Sequence, residues 1–290
     1  MAPLFILTCM RSYSSLVSSM LGQHPGLYCL PEVNPFIADT LGAGVDLLNM
    51  VRKRTLDGLF RAVAELELGA QTEAAVAAAQ VWVGQRRGWT PVQLMDHFAA
   101  RVAPKRLIEK SPSTVLNPER LDQVLALFPQ AHFLHLYRHP VATTASIARI
   151  TQAAQGPRPR NTRDPEDSWL GANRAILTLS TRIPAGQFMS LRGEDVLGDP
   201  DRYLGQICLW LGLDCGAQDF AAMRAPENSP YASLGPPSAP FGNDPAFLKQ
   251  PRYAKREIEL PDLNAPLDWA DPGRRLRAET VDLAFQLGYV

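Results

Sequence analysis

The sequence predicts an α/β protein of three layers, with a mainly parallel central sheet between helices. Three observations carry this. Short apolar runs of strand length recur at Leu4–Cys9, Leu27–Cys29, Arg106–Glu109, His132–Tyr137 and Phe188–Arg192, and segments of helical periodicity separate them. The first run passes through a hydroxyl-rich turn directly into such a segment. At 290 residues and 46% hydrophobic content, the chain can also bury a sizeable core.

The elements follow in order. The Leu4 run stops at Arg11-Ser12, and a helix with Leu16, Met20 and Leu21 on one face opens after the turn. A strand entering a helix this way offers free backbone N–H groups and the positive end of a helix dipole, and Arg11 adds a full charge beside them. The turn is therefore a candidate anion site. It is neither a nucleotide-triphosphate loop nor a dinucleotide fingerprint, because no glycine lies between Ala2 and Gly22 and no lysine is near. Residues 37–103 are alanine-rich and helical with no strand signal, a helical insertion between two core strands that reads as a cover for a pocket or as an outer layer. Leu116–Leu127 is a helix with Asn117 as N-cap and Pro118 at its first position. Pro140–Ile150, Asp164–Arg182 and Pro200–Leu211 are further helices, and Pro272–Leu287, capped by Asp271, closes the chain. Seven prolines fall between Pro226 and Pro251, in a loop too long for a simple connector. We read about 226–256 as a lid or a surface excursion, and the whole of 1–290 as one domain.

Composition excludes several classes of protein. The 29 basic and 29 acidic residues cancel, so no broad field for nucleic acid or a membrane surface is expected. No apolar run approaches the roughly 20 residues of a membrane span. The first residues lead into a strand without a basic n-region, which predicts a cytoplasmic protein. Cys9, Cys29, Cys208 and Cys215 show neither zinc nor redox spacing, and Cys9 and Cys208 read as buried thiols.

Arg11-Ser12-Tyr13-Ser14-Ser15-Leu16-Val17 resembles the 5′-phosphosulfate loop R-S-G-[ST]-T-L-[LV] of sulfotransferases that use 3′-phosphoadenylyl sulfate (PAPS), with Tyr13 in place of the usual glycine. Further likenesses follow in the family's order. His24-Pro25 to Pro31-Glu32 is similar to the H-P…P-E segment of bacterial carbohydrate- and lipid-type and of tyrosylprotein sulfotransferases, and Lys110-Ser111-Pro112 to K-[ST]-P. Phe128 to Pro140 followed by Ser146 is similar to the 3′-phosphate segment F-P-x-A-x-[FI]-[IL]-x-[LV]-x-R-[DH]-P and its serine. Leu191 to Pro200 is similar to L-R-Y-E-D-L-[VL]-x-D-P, with Gly193 where tyrosine is usual.

The resemblance implies a P-loop-like fold and transfer of a sulfuryl group from PAPS to a hydroxyl or amine, leaving 3′,5′-ADP. It implies that Arg11, with Ser12, Tyr13, Ser14 and Ser15, binds the 5′-phosphosulfate, and that Lys110 is aimed at the same region. Arg138 and Ser146 would hold the 3′-phosphate, and Glu32 would be the base, with His24 and His139 as competitors. The basic cluster Lys249, Arg252, Lys255 and Arg256 reads as a solvated face or a further reach toward the 3′-phosphate. The transferred group carries less negative charge than a terminal phosphate, so no metal is expected. The acceptor is expected to be a small molecule, lipid or carbohydrate, and a homodimer stays open. Two alternatives remain: a P-loop-like small-molecule kinase, against which the missing lysine argues, and a non-catalytic nucleotide-binding module.

Overall fold

A computed structural model describes residues 1–51, 53–154, 163–255 and 258–290. In chain order the elements are β1 (Leu4–Leu7), α1 (Ser14–Leu21), β2 (Leu27–Cys29), α2 (Leu41–Val51), α3 (Asp57–Leu68), α4 (Glu73–Gly84), α5 (Pro91–Val102), β3 (Arg106–Glu109) and α6 (Pro118–Leu127). There follow β4 (His132–Tyr137), α7 (Pro140–Ala154), α8 (Pro165–Ser180), β5 (Phe188–Arg192), α9 (Gly193–Gly198), α10 (Pro200–Trp210), α11 (Ala217–Met223), α12 (Pro245–Lys249) and α13 (Ala278–Gln286). The strands form one five-stranded sheet in the order β2-β3-β1-β4-β5, and every pairing is parallel. β1 is buried along its whole length because it is central and covered on both faces. Leu4 and Ile6 pack with Val17, Met20 and Leu204 on one face. Phe5 and Leu7 join the opposite cluster, where the Phe5 ring meets Phe36, Phe128 and Phe133 at centroid distances of 5.3 to 5.7 Å. The alternation of a two-residue period thus assigns each side chain to one of two cores.

The all-parallel arrangement has one consequence that governs the rest. Every strand ends on the same edge, and β1, where the strand order reverses, lies in the middle. The loops carrying Arg11, Glu32, Lys110 and Arg138 leave the sheet at that edge, one each after β1, β2, β3 and β4.

Several boundaries differ from those the sequence predicts. β1 stops at Leu7 instead of Cys9, since the chain must turn into the left-handed region at Arg11, φ 70°. α7 runs on to Ala154. The last helix is the largest correction. It begins at Ala278, not Pro272, and Asp271 does not cap it. Residues 271–274 form a turn instead, with Gly273 at φ 82° and Arg274 N–H donating to Asp271 O at 3.0 Å. Buried Glu166 sets the helix start: its Oε1 accepts from Arg277 N–H and from the Thr280 hydroxyl, both at 2.7 Å. Asn117 does cap α6, accepting from Glu119 N–H at 2.9 Å.

The described part of 37–103 holds α2 to α5 and no strand. The proline-rich stretch lies against this helical layer. Arg61 of α3 is buried and donates to Phe241 O at 2.6 Å and Ser233 O at 2.9 Å, while Asp57 accepts from Phe241 N–H at 3.0 Å. Tyr231 is tied to Tyr28 of β2 through their hydroxyls, 3.0 Å apart. Lys249, Arg252 and Lys255 are exposed, and Arg256 lies outside the described residues.

Candidate active site

The loop after β1 carries two left-handed residues that are not glycine, Arg11 and Tyr13, at φ 70° and 64°. Such a conformation costs about 1–2 kcal/mol for a residue with a Cβ, and strain of this kind gathers where function needs a fixed loop. Tyr13 occupies the N-cap position of α1 without a capping side chain. The first-turn N–H groups therefore face the loop's concavity with no side-chain acceptor of Tyr13 in the way. Ser12, Ser14 and Ser15 are buried beneath, and Ser12 Oγ has no hydrogen-bond partner. A buried orphan hydroxyl in a strained, cation-flanked turn fits an anionic ligand.

Around this loop the cations converge. Arg11 Nε donates to Ser146 Oγ at 3.0 Å, and its guanidinium pairs with Asp244 from the proline-rich stretch. Arg138 Nη1 donates to Arg11 O at 3.0 Å, and its guanidinium carbon sits 4.3 Å from the centre of the Tyr13 ring. The residues expected to share the 3′-phosphate therefore both meet Arg11, Ser146 at its side chain and Arg138 at its backbone. Burial lowers the Arg11 pKa from its ordinary value, and the like charges of Arg138 and Arg149 add to that. Arg149 is a residue that sequence reasoning missed. It is exposed one turn beyond Ser146 on α7, and that i, i+3 spacing was the available signal.

The second group forms on the β3 side. Lys110 is fully buried, and its ammonium donates to Glu32 Oε1 at 2.7 Å, Ser15 Oγ at 3.1 Å and Asn243 Oδ1 at 3.1 Å. Three acceptors for three donors satisfy a buried ammonium, and the Glu32 carboxylate balances its charge. The Glu32 side chain remains 30% exposed. Its backbone is gripped from two directions. Glu32 N–H donates to Gly242 O at 2.6 Å, and a Cβ on Gly58 of α3 would fall 2.1 Å from Glu32 O. The insertion and the proline-rich stretch both close on this residue, and only glycine at 58 allows it. Asn243 and Asp244 came from no sequence signal, since nothing local marks them. Ser15 Oγ also accepts from Asp244 N–H at 3.1 Å, which seats that stretch on the loop.

The two competing histidines are held in different ways. His24 has both ring nitrogens engaged, Nδ1 accepting from Gly26 N–H at 3.0 Å and Nε2 meeting Asp214 O at 2.9 Å. It therefore braces the turn after α1, and although Cys208 and Cys215 offer sulfur atoms within 4.8 Å, its lone pair is already spent. His139 is buried against the Tyr289 ring, 4.8 Å between centroids, and burial pushes its pKa down to about 4. Glu109, also buried, has its pKa pushed up to about 7 by desolvation, and its Oε1 lacks a partner.

A strand–loop–helix turn flanked by arginines at the switch point of a parallel sheet is the arrangement of the P-loop-like α/β class. The chain belongs to the sulfotransferase family: the family's sequence profile matches residues 3–217, more than half of its length. It is a PAPS-dependent sulfotransferase, as that membership implies. No curated protein sequence matches it. Among solved structures it is similar to the sulfotransferase domain from the curacin biosynthetic pathway, with a TM-score of 0.79, 24% identity, and 100% of this chain and 98% of that one covered. It is also similar to the sulfotransferase domain of the Synechococcus PCC 7002 olefin synthase, with a TM-score of 0.76, 28% identity, and 99% and 94% covered. No helix among the described residues is long and apolar enough to cross a membrane.

Proposed function

We propose that the chain moves the sulfuryl group of PAPS to a hydroxyl or amine of a small-molecule, lipid or carbohydrate acceptor, with Glu32 as the base. The observation that carries this reading is the buried Lys110, which holds Glu32 and the loop residue Ser15 on one ammonium beside Arg11. PAPS supplies the activated sulfuryl group for in-line displacement, and 3′,5′-ADP is left behind. Arg11 and the N–H groups of Ser12 to Ser15 bind the 5′ end and stabilise charge on the leaving phosphate oxygen. Arg138 and Ser146 hold the 3′-phosphate, with Arg149 adding positive potential nearby. Lys110 fixes the carboxylate through Oε1, which leaves Oε2 to take the proton of the acceptor. Positioning and charge supply most of the rate, so this chemistry needs no metal.

We read 226–256 as a lid on this edge. It is anchored by Arg61 and Tyr28, and it brings Asn243 and Asp244 to the site. The acceptor is then bounded by this stretch and the helical insertion, and 1–290 functions as one domain. Incubation with labelled PAPS and a panel of hydroxylated lipids, glycans, phenols and amines tests the proposal. Label transfer to one acceptor class, in the presence of a chelator, is the expected result. Label that never leaves PAPS except as free sulfate, across the panel, would count against it.

A further inference from the structure

The two positions at which the sequence departs from the family's motifs meet in space. Tyr13 stands where the loop usually has glycine, and Gly193 stands where the strand after the 3′-phosphate segment usually has tyrosine. A Cβ built on Gly193 would fall 2.8 Å from Tyr13 Cδ2, inside any tolerated contact. Gly193 is thus required by the Tyr13 ring and not by backbone conformation, since its φ is not in the left-handed region. The ring so accommodated faces the Arg138 guanidinium, whose carbon is 4.3 Å from the ring centre.

The rest of the Arg138 environment leaves that face as its main restraint. Nη1 donates to Arg11 O at 3.0 Å, the buried Nε has no hydrogen-bond partner, and no carboxylate among the described residues pairs with it. A guanidinium anchored by one carbonyl can still swing about that bond. A ring stacked on its plane removes the swing and leaves the outward donors in place for an anion. Tyr13 also holds a left-handed conformation, φ 64° and ψ 9°, that glycine would adopt without strain. Strain of this kind is retained in a loop when the side chain that causes it does something a glycine cannot.

We propose that Tyr13 is a positioning residue for Arg138, and that Tyr13 and Gly193 together form an exchanged aromatic bracket for the 3′-phosphate arginine, its ring supplied by the loop instead of by the first residue of α9. This rests on the assignment of Arg138 to the 3′-phosphate above. The bracket sets how well the enzyme separates 3′,5′-ADP from 5′-AMP, a ratio in which the 5′ contacts of the Ser12 to Ser15 loop are common to both nucleotides.

Calorimetric titration of the whole chain with 3′,5′-ADP and with 5′-AMP tests it. Tyr13→Leu fills similar space without a π face and should cut the preference for 3′,5′-ADP about three- to tenfold, a cation–π contribution for a half-buried pair. Tyr13→Phe should retain it. Tyr13→Gly should lower the preference by a like factor while the thermal midpoint stays level or rises, because loop strain is relieved, and a purely structural tyrosine would move both downward. Gly193→Ala should reduce 3′,5′-ADP affinity in the wild-type background and have no further effect beside Tyr13→Gly. The exchanged pair Tyr13→Gly with Gly193→Tyr should recover most of the preference. Arg138→Ala serves as the control: if it leaves the preference intact, the 3′-phosphate assignment fails and the bracket falls with it. If Arg138→Ala abolishes the preference while Tyr13→Leu behaves as wild type, the bracket alone is overturned.

Discussion

The two halves of the carboxyl edge handle charge in opposite ways. On the side of β1 and β4, Arg11, Arg138 and Arg149 stand together, and Asp244 is the one carboxylate among the described residues that pairs with any of them. On the side of β2 and β3, Lys110 and Glu32 are matched one to one, and a hydroxyl and an amide complete the set. A surplus of cations around a strained turn is suited to a polyanion that brings its own compensation. A neutral cluster whose ammonium is fully hydrogen-bonded is suited to moving a proton, because the charge of the site changes little and its geometry is held. Binding and transfer are in this way assigned to adjacent but separable groups.

The separation predicts what each substitution should leave untouched. Glu32→Gln keeps the side chain's size but cannot accept the proton, so turnover should fall by roughly 10²–10⁴ while 3′,5′-ADP affinity stays near wild type. A variant that turns over normally would break the comparison at its transfer end. Arg11→Ala removes charge stabilisation at the leaving oxygen, and steady-state kinetics should show kcat lower by about two orders of magnitude or more. Arg11→Lys should recover only part, because an ammonium cannot repeat the forked contacts to Ser146 and the ligand.

Glu109 sharpens the account of the balanced side from beneath. Its folded pKa of about 7 lies above the unfolded value near 4.5, so the folded state holds its proton more tightly. Stability from this group is complete below the unfolded value and is lost as the pH rises to about 7, an effect of about 3 kcal/mol. Denaturant melts of wild type and Glu109→Gln at pH 5 and pH 8 should show that pH dependence in the first and its loss in the second. On the cation side, Arg138→Ala should weaken 3′,5′-ADP about ten- to a hundredfold and 5′-AMP hardly at all, by calorimetry. Asp244→Asn is the smallest change. It preserves the cap on α12, where Oδ1 accepts from Ala246 N–H, but frees Arg11 of a competing charge. Nucleotide affinity should rise about two- to fivefold, the worth of a partly exposed ion pair.

Much of this was legible in the sequence, for a physical reason. Buried strands announce themselves as short apolar runs, and the half-exposed edge strand β5 is marked by a similar run; four of the five strands have the limits the sequence predicts, from Leu27–Cys29 to Phe188–Arg192. A parallel sheet then carries Arg11, Glu32, Lys110 and Arg138 to one edge without further instruction. What the sequence does not display are contacts that depend on distant segments docking. Asn243 reaches Lys110 across more than a hundred residues, and its neighbours advertise only proline. The start of α13 is decided by Glu166, far upstream, and not by the local Asp-Pro-Gly that resembles a helix entry. The meeting of Arg11 with Ser146 depends on the rotamer of a long side chain, which no spacing encodes.

The central claim is that the cation side of this edge is built for a nucleotide with a 3′-phosphate. Titration of the wild-type protein with 3′,5′-ADP, ADP and ATP–Mg²⁺, the first two in the presence of a chelator, measures it directly. The account predicts that 3′,5′-ADP binds without metal and at least about tenfold more tightly than ADP, the least that one charge-assisted phosphate contact contributes. A preference for ATP that requires Mg²⁺, or equal affinity for 3′,5′-ADP and ADP, would contradict it.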